Sequence, residues 1–445
     1  MLKIFILLLA TILAKKELKF VAVFCRHGAR SPLVSIEGFD KKTNWNYGYG
    51  ELTPSGQRQL YLLGRVLRKR YVEDKVNGTH SFLPEDYNET LLFVRSTAFH
   101  RTIMSVNALL NGLYPSNASE LNDTQLKNKE TWLPPIGLNH SDKILENLGK
   151  SALPHDIPVI PVKNYLKSQD KLLKMDSCLL YNKHRSEYFD SKKAEDTYKK
   201  YKPDIDVACG LLNADCGNLK GNKTFLYCDY IVASEFDGQM EKISQNDTLV
   251  QKIRECYTRS LKEEITYNPI MPKIIMNSFK REIQSRFNDS IKNIGPKMVL
   301  YGTHDDLILG YLDGLDLDNI KKENFTVEYA SHIIIEFWET ENGHMVNLSY
   351  NGDVHIYEDL NKFNKTINEK GKLDGTWEEA CNPKNSTNET NIVFLEESST
   401  DSYIILFCVL ALAFVIMIVV AAKKYSEKRS EASEPMIRTE ITTYA

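Results

Sequence analysis

The stretch FVAVFCRHGARSP, residues 20–32, decides the fold of this chain. Its first part, residues 20–25, is continuously apolar and rich in β-branched and aromatic side chains, which is typical of a strand buried on both faces of a sheet. A polar loop that contains a histidine and two arginines follows at once. Because ligands of α/β proteins bind beyond the carboxyl ends of the strands, we expect this loop to lie at a functional site.

The residues that follow predict an alternation of helices and strands. A helix is expected from Leu52 onward, because Thr53 is a suitable N-cap, Pro54 suits the first turn and leucines recur at helical spacing. Residues 91–94 form a short apolar strand, and residues 103–113 carry apolar side chains along one helical face. This alternation predicts an α/β fold with a mainly parallel sheet that is flanked by helices on both faces.

The same pattern resumes late in the chain. Residues 277–291 are predicted to be helical, and residues 298–301 to form a further strand. Residues 333–338 and 345–350 are apolar runs joined through a Glu-Asn-Gly segment, which predicts an antiparallel hairpin at an edge of the sheet.

Residues 166–265 have a different composition, in which lysine, aspartate and tyrosine dominate and most of the cysteines lie. Clear strand patterns are absent there, so we expect a smaller, mostly helical insertion that covers the sheet. The α/β domain is then expected in two parts, residues 15–165 and 266–380. A solvated stalk, rich in Asn, Ser, Thr and Glu, is predicted over residues 381–402.

Both ends of the chain have the pattern of targeting segments. Residues 1–14 combine a lysine, an apolar run and a final alanine, which is typical of a secretory signal peptide. Residues 403–422 carry no charge and are long enough to form one C-terminal transmembrane helix. Because basic residues follow this segment, we expect a single-pass type I membrane protein with residues 423–445 in the cytosol and the main domain lumenal or extracellular.

Sequons and cysteines agree with that topology. All thirteen Asn-x-Ser/Thr sequons lie between the two apolar end segments, as exposure to the secretory lumen requires. Cys25 falls in the apolar strand and is expected to be a buried free thiol, while the six other cysteines outside the span could form three disulfides of open connectivity. The candidate glycosylation sites are Asn77, Asn88, Asn117, Asn122, Asn139, Asn222, Asn246, Asn288, Asn324, Asn347, Asn364, Asn385 and Asn388.

Composition excludes some classes of function. The chain of 445 residues has 56 Lys and Arg against 59 Asp and Glu, so no excess of positive charge is available for a nucleic-acid partner. Neither a CxxC…CxxC nor an HExxH spacing is present, so a structural or catalytic zinc site has no support and no metal site is predicted.

The loop after the first strand combines Arg26, His27, Gly28 and Arg30. Arginine is scarce in this chain, with 15 residues against 41 lysines, so its use at both positions indicates a geometric requirement. Guanidinium groups match phosphate oxygens two at a time, whereas a lysine ammonium cannot. Their charge also disfavours the protonated imidazole and leaves a ring nitrogen available as a nucleophile. Gly28 is expected to let the backbone approach a ligand closely.

Two further strand ends carry matching groups. Arg95 comes directly after residues 91–94, and His304 and Asp305 follow the strand at residues 298–301. Because the carboxyl ends of parallel strands lie at one edge of a sheet, we expect these side chains to meet the first loop. The combination predicts a site for a phosphorylated ligand.

This combination resembles the histidine acid phosphatase family, the branch of the histidine phosphatase superfamily with RHGxRxP near the N-terminus and a His-Asp pair far downstream. The first motif is present as RHGARSP and the second as THDD. The similarity extends through LTPSGQRQLYLLG, VRSTAFHRTIMS and YASHIIIEFW but is much weaker over residues 166–265. With its signal peptide and single span, the chain is similar to the lysosomal, membrane-anchored type of the family.

The resemblance implies that a small phosphate monoester is hydrolysed in two steps without a cofactor. His27 would attack phosphorus and become phosphohistidine. Asp305, which the motif selects over its neighbour Asp306, would protonate the leaving oxygen and then help to activate water. An acidic pH optimum follows if this acid must be protonated. The groups expected to hold the phosphoryl oxygens are Arg26, Arg30, Arg95 and His304.

Other interpretations remain open at this stage. A phytase-like or inositol-polyphosphate phosphatase shares the first motif, and a non-catalytic membrane glycoprotein could bind a phosphorylated ligand without turnover. A mutase of the related branch is disfavoured, because Arg30 and Pro32 follow the RHG triplet. The sequence does not decide between a lysosome or vacuole and the cell surface, nor whether the protein is a homodimer.

Overall fold

The computed structural model describes residues 16–41, 43–115, 120–128, 133, 147–154, 157–214, 224–317 and 325–382. All of them belong to the first of two units of the chain, Met1–Ser386. The predicted signal peptide, membrane span, cytosolic tail and nearly all of the stalk lie outside the described residues. None of the helices in the described ranges is both long enough and apolar enough to cross a membrane.

One six-stranded sheet organises this unit. Its strands are β1 (Lys16–Arg26), β2 (Leu92–Ser96), β3 (Met298–Thr303), β4 (His332–Thr340), β5 (Gly343–Tyr350) and β6 (Asp353–Asp359). The strands are arranged in the order β2-β3-β1-β4-β5-β6, so β1 and β3 lie next to each other inside the sheet.

The sheet is mixed, and the prediction of a mainly parallel sheet is wrong. β3 pairs in parallel with β1 and with β2, but β1–β4, β4–β5 and β5–β6 are antiparallel. The physical reason is the length of the connections, because β4, β5 and β6 follow one another through short turns that permit only antiparallel neighbours. The predicted hairpin is confirmed as β4–β5, but it lies inside the sheet, and β6 forms the edge.

Helices surround this sheet and form most of the insertion. They are α1 (Glu37–Asp40), α2 (Pro54–Arg68), α3 (His100–Leu113), α4 (Asp123–Lys127), α5 (Leu179–Phe189), α6 (Lys192–Leu212), α7 (Thr224–Phe236), α8 (Glu241–Ser244), α9 (Asp247–Ile265), α10 (Ile270–Ile291), α11 (Asp305–Gly314), α12 (Leu360–Lys370) and α13 (Trp377–Cys381). The Thr53 side chain caps α2 by accepting a hydrogen bond from the Gly56 N–H, as predicted.

Strand β1 separates two apolar cores and is buried on both faces, as predicted. Ala22 and Phe24 belong to the core that includes side chains of α10 and α11. Val23 and Cys25 belong to the opposite core, which includes side chains of α2 and α3. Cys25 is the buried free thiol that the sequence predicts, and burial raises its pKa to about 12.

The insertion has an apolar core of its own, formed mainly by α6, α7 and α9. A disulfide between Cys228 and Cys256 joins α7 to α9, and a second one between Cys178 and Cys381 joins the start of α5 to α13. Cys209 is disulfide-bonded as well. The mostly helical character of residues 166–265 is therefore present, while the predicted domain boundaries remain a prediction.

Candidate active site

The order of the strands brings the two sequence motifs together. β3 lies beside β1, and Arg26 at the end of β1 is in register with Thr303 at the end of β3. Adjacent strands are about 4.8 Å apart, so the residues that follow them become neighbours. The ring centroids of His27 and His304 are accordingly 5.4 Å apart.

Backbone contacts fix the loop after β1. The His27 N–H donates to the Thr303 carbonyl at 3.0 Å, and the Gly28 N–H donates to the Ser105 hydroxyl of α3 at 3.1 Å. A Cβ on Gly28 would lie 2.2 Å from the carbonyl oxygen of Gly56 in α2. Gly28 therefore lets the loop pack on α2, and the expected close approach to a ligand is instead an approach to another backbone.

The tautomer of His27 follows from one hydrogen bond. Its Nδ1 lies 2.9 Å from the Gly28 carbonyl oxygen, which can only accept, so Nδ1 carries the hydrogen. Burial, followed by the like charges of Arg101 and Arg26, holds the pKa of His27 well below its usual value. The imidazole is therefore neutral, and its Nε2 keeps a lone pair.

Asp305 forms an ion pair with the arginine that precedes His27. Arg26 Nη2 lies 2.6 Å from Asp305 Oδ2, and Arg26 Nη1 donates to the Val327 carbonyl oxygen at 2.6 Å. The Tyr257 hydroxyl donates to the same carboxylate oxygen of Asp305. Burial alone would raise the pKa of Asp305, but the charge of Arg26, supported by the Tyr257 hydrogen bond, outweighs it and lowers that pKa.

Arg30 forms a second buried ion pair, with Asp229 of α7. Its Nη2 lies 2.7 Å from Oδ1 and its Nη1 lies 3.3 Å from Oδ2, a two-point contact between side chains that are 2% and 1% exposed. The guanidinium groups of Arg26 and Arg30 lie 4.2 and 6.0 Å from the ring centroid of Tyr329. The two motif arginines therefore share one pocket wall.

One disulfide holds the two residues of the insertion that contact the motifs, Asp229 and Tyr257. Cys228 directly precedes Asp229, and its partner Cys256 directly precedes Tyr257. The covalent link between α7 and α9 thus fixes the backbone next to the partner of Arg30 and next to the partner of Asp305. Sequence reasoning identified neither Asp229 nor Tyr257, because the contacts join residues that are far apart in the chain.

The structure separates the adjacent carboxylates Asp305 and Asp306. Lys174 Nζ lies 2.7 Å from Asp306 Oδ2, whereas Asp305 faces Arg26. His304 contacts the loop after β2, where its Nε2 is 3.0 Å from the Thr97 hydroxyl oxygen. Burial, followed by the charges of Arg101 and Lys174, lowers the pKa of His304 well below its usual value.

Arg95 and Arg101 occupy different surroundings. Arg95 Nη2 lies 2.6 Å from Asp170 Oδ1, and its guanidinium carbon lies 4.3 Å from the ring centroid of Tyr165. Arg101, in the first turn of α3, has its guanidinium carbon 4.6 Å from the ring centroid of Phe99. The Phe99 ring is in turn 4.8 Å from the ring of His304.

Arg101 is a third residue of the candidate site that sequence reasoning missed. Of the charged groups, it contributes most to lowering the pKa of both His27 and His304, and the Phe99 ring lies against both Arg101 and His304. Two signals could have identified it, namely the scarcity of arginine and its position in the first turn of the helix that follows β2. The structure thus places a further cation at the histidines, while Arg95 is paired with Asp170.

Four arginines offer buried Nε donors toward an anion. Within the part of the chain that the structure describes, the Nε atoms of Arg26, Arg30, Arg95 and Arg101 are buried and make no hydrogen bond. Buried donors are normally paired, so an oxyanion is a chemically suitable partner for them. Among the described residues, no group of three or more His, Cys, Asp or Glu is placed to hold a metal ion.

Comparisons with known proteins agree with the motifs. The family model "Histidine phosphatase superfamily (branch 2)" matches residues 17–351. Prostatic acid phosphatase of Mus musculus is 26% identical over 76% of this chain and 79% of its own length. Lysosomal acid phosphatase of Xenopus laevis is 25% identical over 75% of this chain and 69% of its own length.

Solved structures share the fold. The apo form of a Hafnia alvei phytase matches with a TM-score of 0.54 and 14% sequence identity, over 81% of this chain and 98% of its own. The phytase from Citrobacter braakii matches with the same TM-score, 15% identity, and coverage of 80% and 98%. The resemblance that the two motifs indicate is confirmed, and the chain belongs to branch 2 of the histidine phosphatase superfamily.

Proposed function

We propose that this chain is an acid phosphatase that hydrolyses phosphate monoesters through a phosphohistidine at His27. The observation that carries the proposal is a neutral His27, whose Nδ1–H is held by Gly28, buried among guanidinium groups and close to the carboxyl of Asp305. The related proteins named prostatic and lysosomal acid phosphatase support the same reaction class.

In the first step, His27 Nε2 attacks phosphorus and forms a P–N bond while the P–O bond to the alcohol breaks. The leaving oxygen takes a proton from the Asp305 carboxyl and departs as the alcohol. In the second step, water attacks phosphorus, the P–N bond breaks and Asp305 takes the proton of the water. This step releases phosphate and returns His27 and Asp305 to their original protonation states.

Positive charge replaces a metal ion in this proposal. Arg26, Arg30 and Arg101 would hold the phosphoryl oxygens, and preorganised donors of this kind stabilise charge that spreads over them in the transition state. His304, whose ring centroid is 5.4 Å from that of His27, would also contact the phosphoryl group. Arg95 takes a smaller part than the sequence assigned to it, because Arg101 is the charged group with the largest effect on the pKa of both histidines.

The acidic pH optimum follows from the environment of Asp305. The first step needs the protonated acid, so the rate falls as the pH rises through the pKa of Asp305 in the substrate complex. The charge of Arg26 lowers this pKa and therefore moves that fall toward acidic pH. A bound phosphoryl group carries negative charge that offsets the charge of Arg26, so it raises the pKa of Asp305 again in the substrate complex.

We further propose that the phosphatase domain faces the secretory lumen or the cell exterior and is anchored by residues 403–422. Disulfides such as Cys228–Cys256 and Cys178–Cys381 are typical of oxidising compartments, and several relatives are named lysosomal acid phosphatase. Protection of the domain from added protease in sealed microsomes, and its loss after detergent, tests this topology.

The sequons offer a second test of that location. Asn246 and Asn288 are exposed and accessible to glycosylation. The amide of Asn77, by contrast, donates to the Leu18 carbonyl, and that of Asn347 donates to the buried Glu336. We expect glycans at the first two positions and substoichiometric modification at the last two, which mass spectrometry of tryptic glycopeptides can measure.

Turnover of p-nitrophenyl phosphate by the purified full-length protein in detergent, with EDTA present, tests the proposed reaction. We expect release of p-nitrophenol with a rate maximum at acidic pH. Binding of phosphate without turnover would identify the non-catalytic alternative. A preference for myo-inositol hexakisphosphate over simple monoesters would identify the phytase-like one.

A further inference from the structure

Tyr257 connects the proposed proton donor to the first motif, although it belongs to neither motif. Its hydroxyl donates to Asp305 Oδ2 and accepts a hydrogen bond from Arg26 Nη2 at 3.1 Å. The side chain is buried, and its ring stacks on Phe225 with 5.0 Å between the centroids. Cys256, the preceding residue, is held by the disulfide to α7. Tyr257 is therefore rigidly placed at the Arg26–Asp305 ion pair.

We propose that Tyr257 is a positioning residue that fixes the Asp305 carboxyl between its own hydroxyl and Arg26, and so sets the pH range in which Asp305 delivers a proton. This inference rests on the proposed function of Asp305. It assigns a reaction-related role to the helical insertion, where the resemblance to the family is weakest.

The direction of the effect follows from the hydrogen bonds. Because the Tyr257 oxygen already accepts from Arg26, its single hydrogen is available for the carboxylate, and a donor to a carboxylate favours the ionised form. The charge of Arg26 acts in the same direction. The charged and titratable groups that face Asp305 or Tyr257 are Arg26, His27, Arg30, Asp229 and Tyr329.

Loss of the hydroxyl therefore changes the pH profile in a defined direction. In Tyr257→Phe the carboxyl of Asp305 loses a donor, its pKa rises, and the protonated acid persists to higher pH. We expect the alkaline limb of kcat for glycerol 2-phosphate, whose alkoxide leaving group needs the proton, to move upward by about one pH unit. Inhibition by inorganic phosphate should change by less than about twofold, because Tyr257 is not proposed to contact the phosphoryl oxygens.

Tyr230→Phe is the matched control. Tyr230 lies in the same apolar core of the insertion, and its buried ring carries a hydroxyl that donates to Asp40 at 2.6 Å. This variant removes a tyrosine–carboxylate hydrogen bond of the same kind away from Asp305. It should lower thermal stability and leave the pH profile unchanged. A shift of the pH profile in Tyr257→Phe alone is then not a general consequence of losing a buried hydroxyl.

A second variant keeps the inference testable if Tyr257→Phe does not fold. Incorporation of 3-fluorotyrosine at position 257 makes the phenol a stronger donor with little change in shape, so the alkaline limb should move to lower pH. A limb that stays in place, or that moves opposite to these directions, would overturn the role of Tyr257. Full turnover by His27→Ala would instead contradict the proposed function itself, so the two failures are distinguishable.

Discussion

The strand ends and the helical insertion supply different kinds of groups to one site. The ends of β1 and β3 supply the imidazoles, Asp305 and the motif arginines, all within two short sequence motifs. The insertion supplies partners for these groups, namely Asp229 for Arg30 and Tyr257 for Asp305 and Arg26. A buried guanidinium without a partner is costly, so a cluster of them needs acidic or polar neighbours. The motifs thus contain the proposed reacting groups, whereas the insertion supplies charged and hydrogen-bonding partners for them.

The largest effect on kcat is expected from a change to the proposed proton donor at the end of β3. Asp305→Asn cannot donate the leaving-group proton, so kcat for an alkyl phosphate such as glycerol 2-phosphate should fall by about 10²–10⁴-fold. The neighbouring Asp306→Asn should lower kcat by less than about tenfold, because Asp306 faces Lys174. Steady-state kinetics of the two variants measure the difference, and equal losses would refute the assignment of Asp305.

The next effect distinguishes two arginines near the end of β2. Arg101→Ala removes the cation with the largest influence on both histidines, so kcat/KM should fall by about 10²–10³-fold. Arg95→Ala should lower kcat/KM by about tenfold or less. It should mainly reduce stability, since Asp170 loses its charged partner. A larger kinetic loss for Arg95→Ala would restore the role that the sequence assigned to it.

A smaller effect on kcat/KM is expected from a change in the helical insertion. Asp229→Asn leaves Arg30 without a charged partner, and we expect the free energy of unfolding to fall by about 3 kcal/mol and kcat/KM to fall by about tenfold. Glu235→Gln is the control, because Glu235 pairs with Arg254 between the same helices α7 and α9. It should change urea denaturation without changing kcat/KM. Equal kinetic effects would mean that the insertion acts only through stability.

Sequence reasoning reached those parts of the structure that depend on local patterns. The Thr53 cap of α2, the buried β1 and the free thiol of Cys25 are read from neighbouring residues and are confirmed. The β4–β5 hairpin was also predicted correctly, but the sheet as a whole was wrongly predicted to be mainly parallel, because the strand-helix alternation of the early part was extended too far.

The missed site residues have a different physical reason. Arg95 and Arg101 are six residues apart in the sequence, and which of them acts on the histidines depends on how the chain runs from β2 into α3, which local patterns do not fix. Asp229 and Tyr257 meet the motifs through packing of helices about 200 residues away in the chain, as the separations of 199 and 231 residues show. No periodicity or spacing contains such contacts.

Trapping of the covalent intermediate tests the central claim most directly. The full-length protein is mixed with a ³²P-labelled phosphate monoester at acidic pH, quenched with strong base within the first turnover, and digested. We predict that the label is found on one peptide, which contains residues 26–30, in a form that is stable in base and lost in acid. The His27→Ala protein should carry no label. Label on another residue, or a labelled His27→Ala protein, would contradict the account.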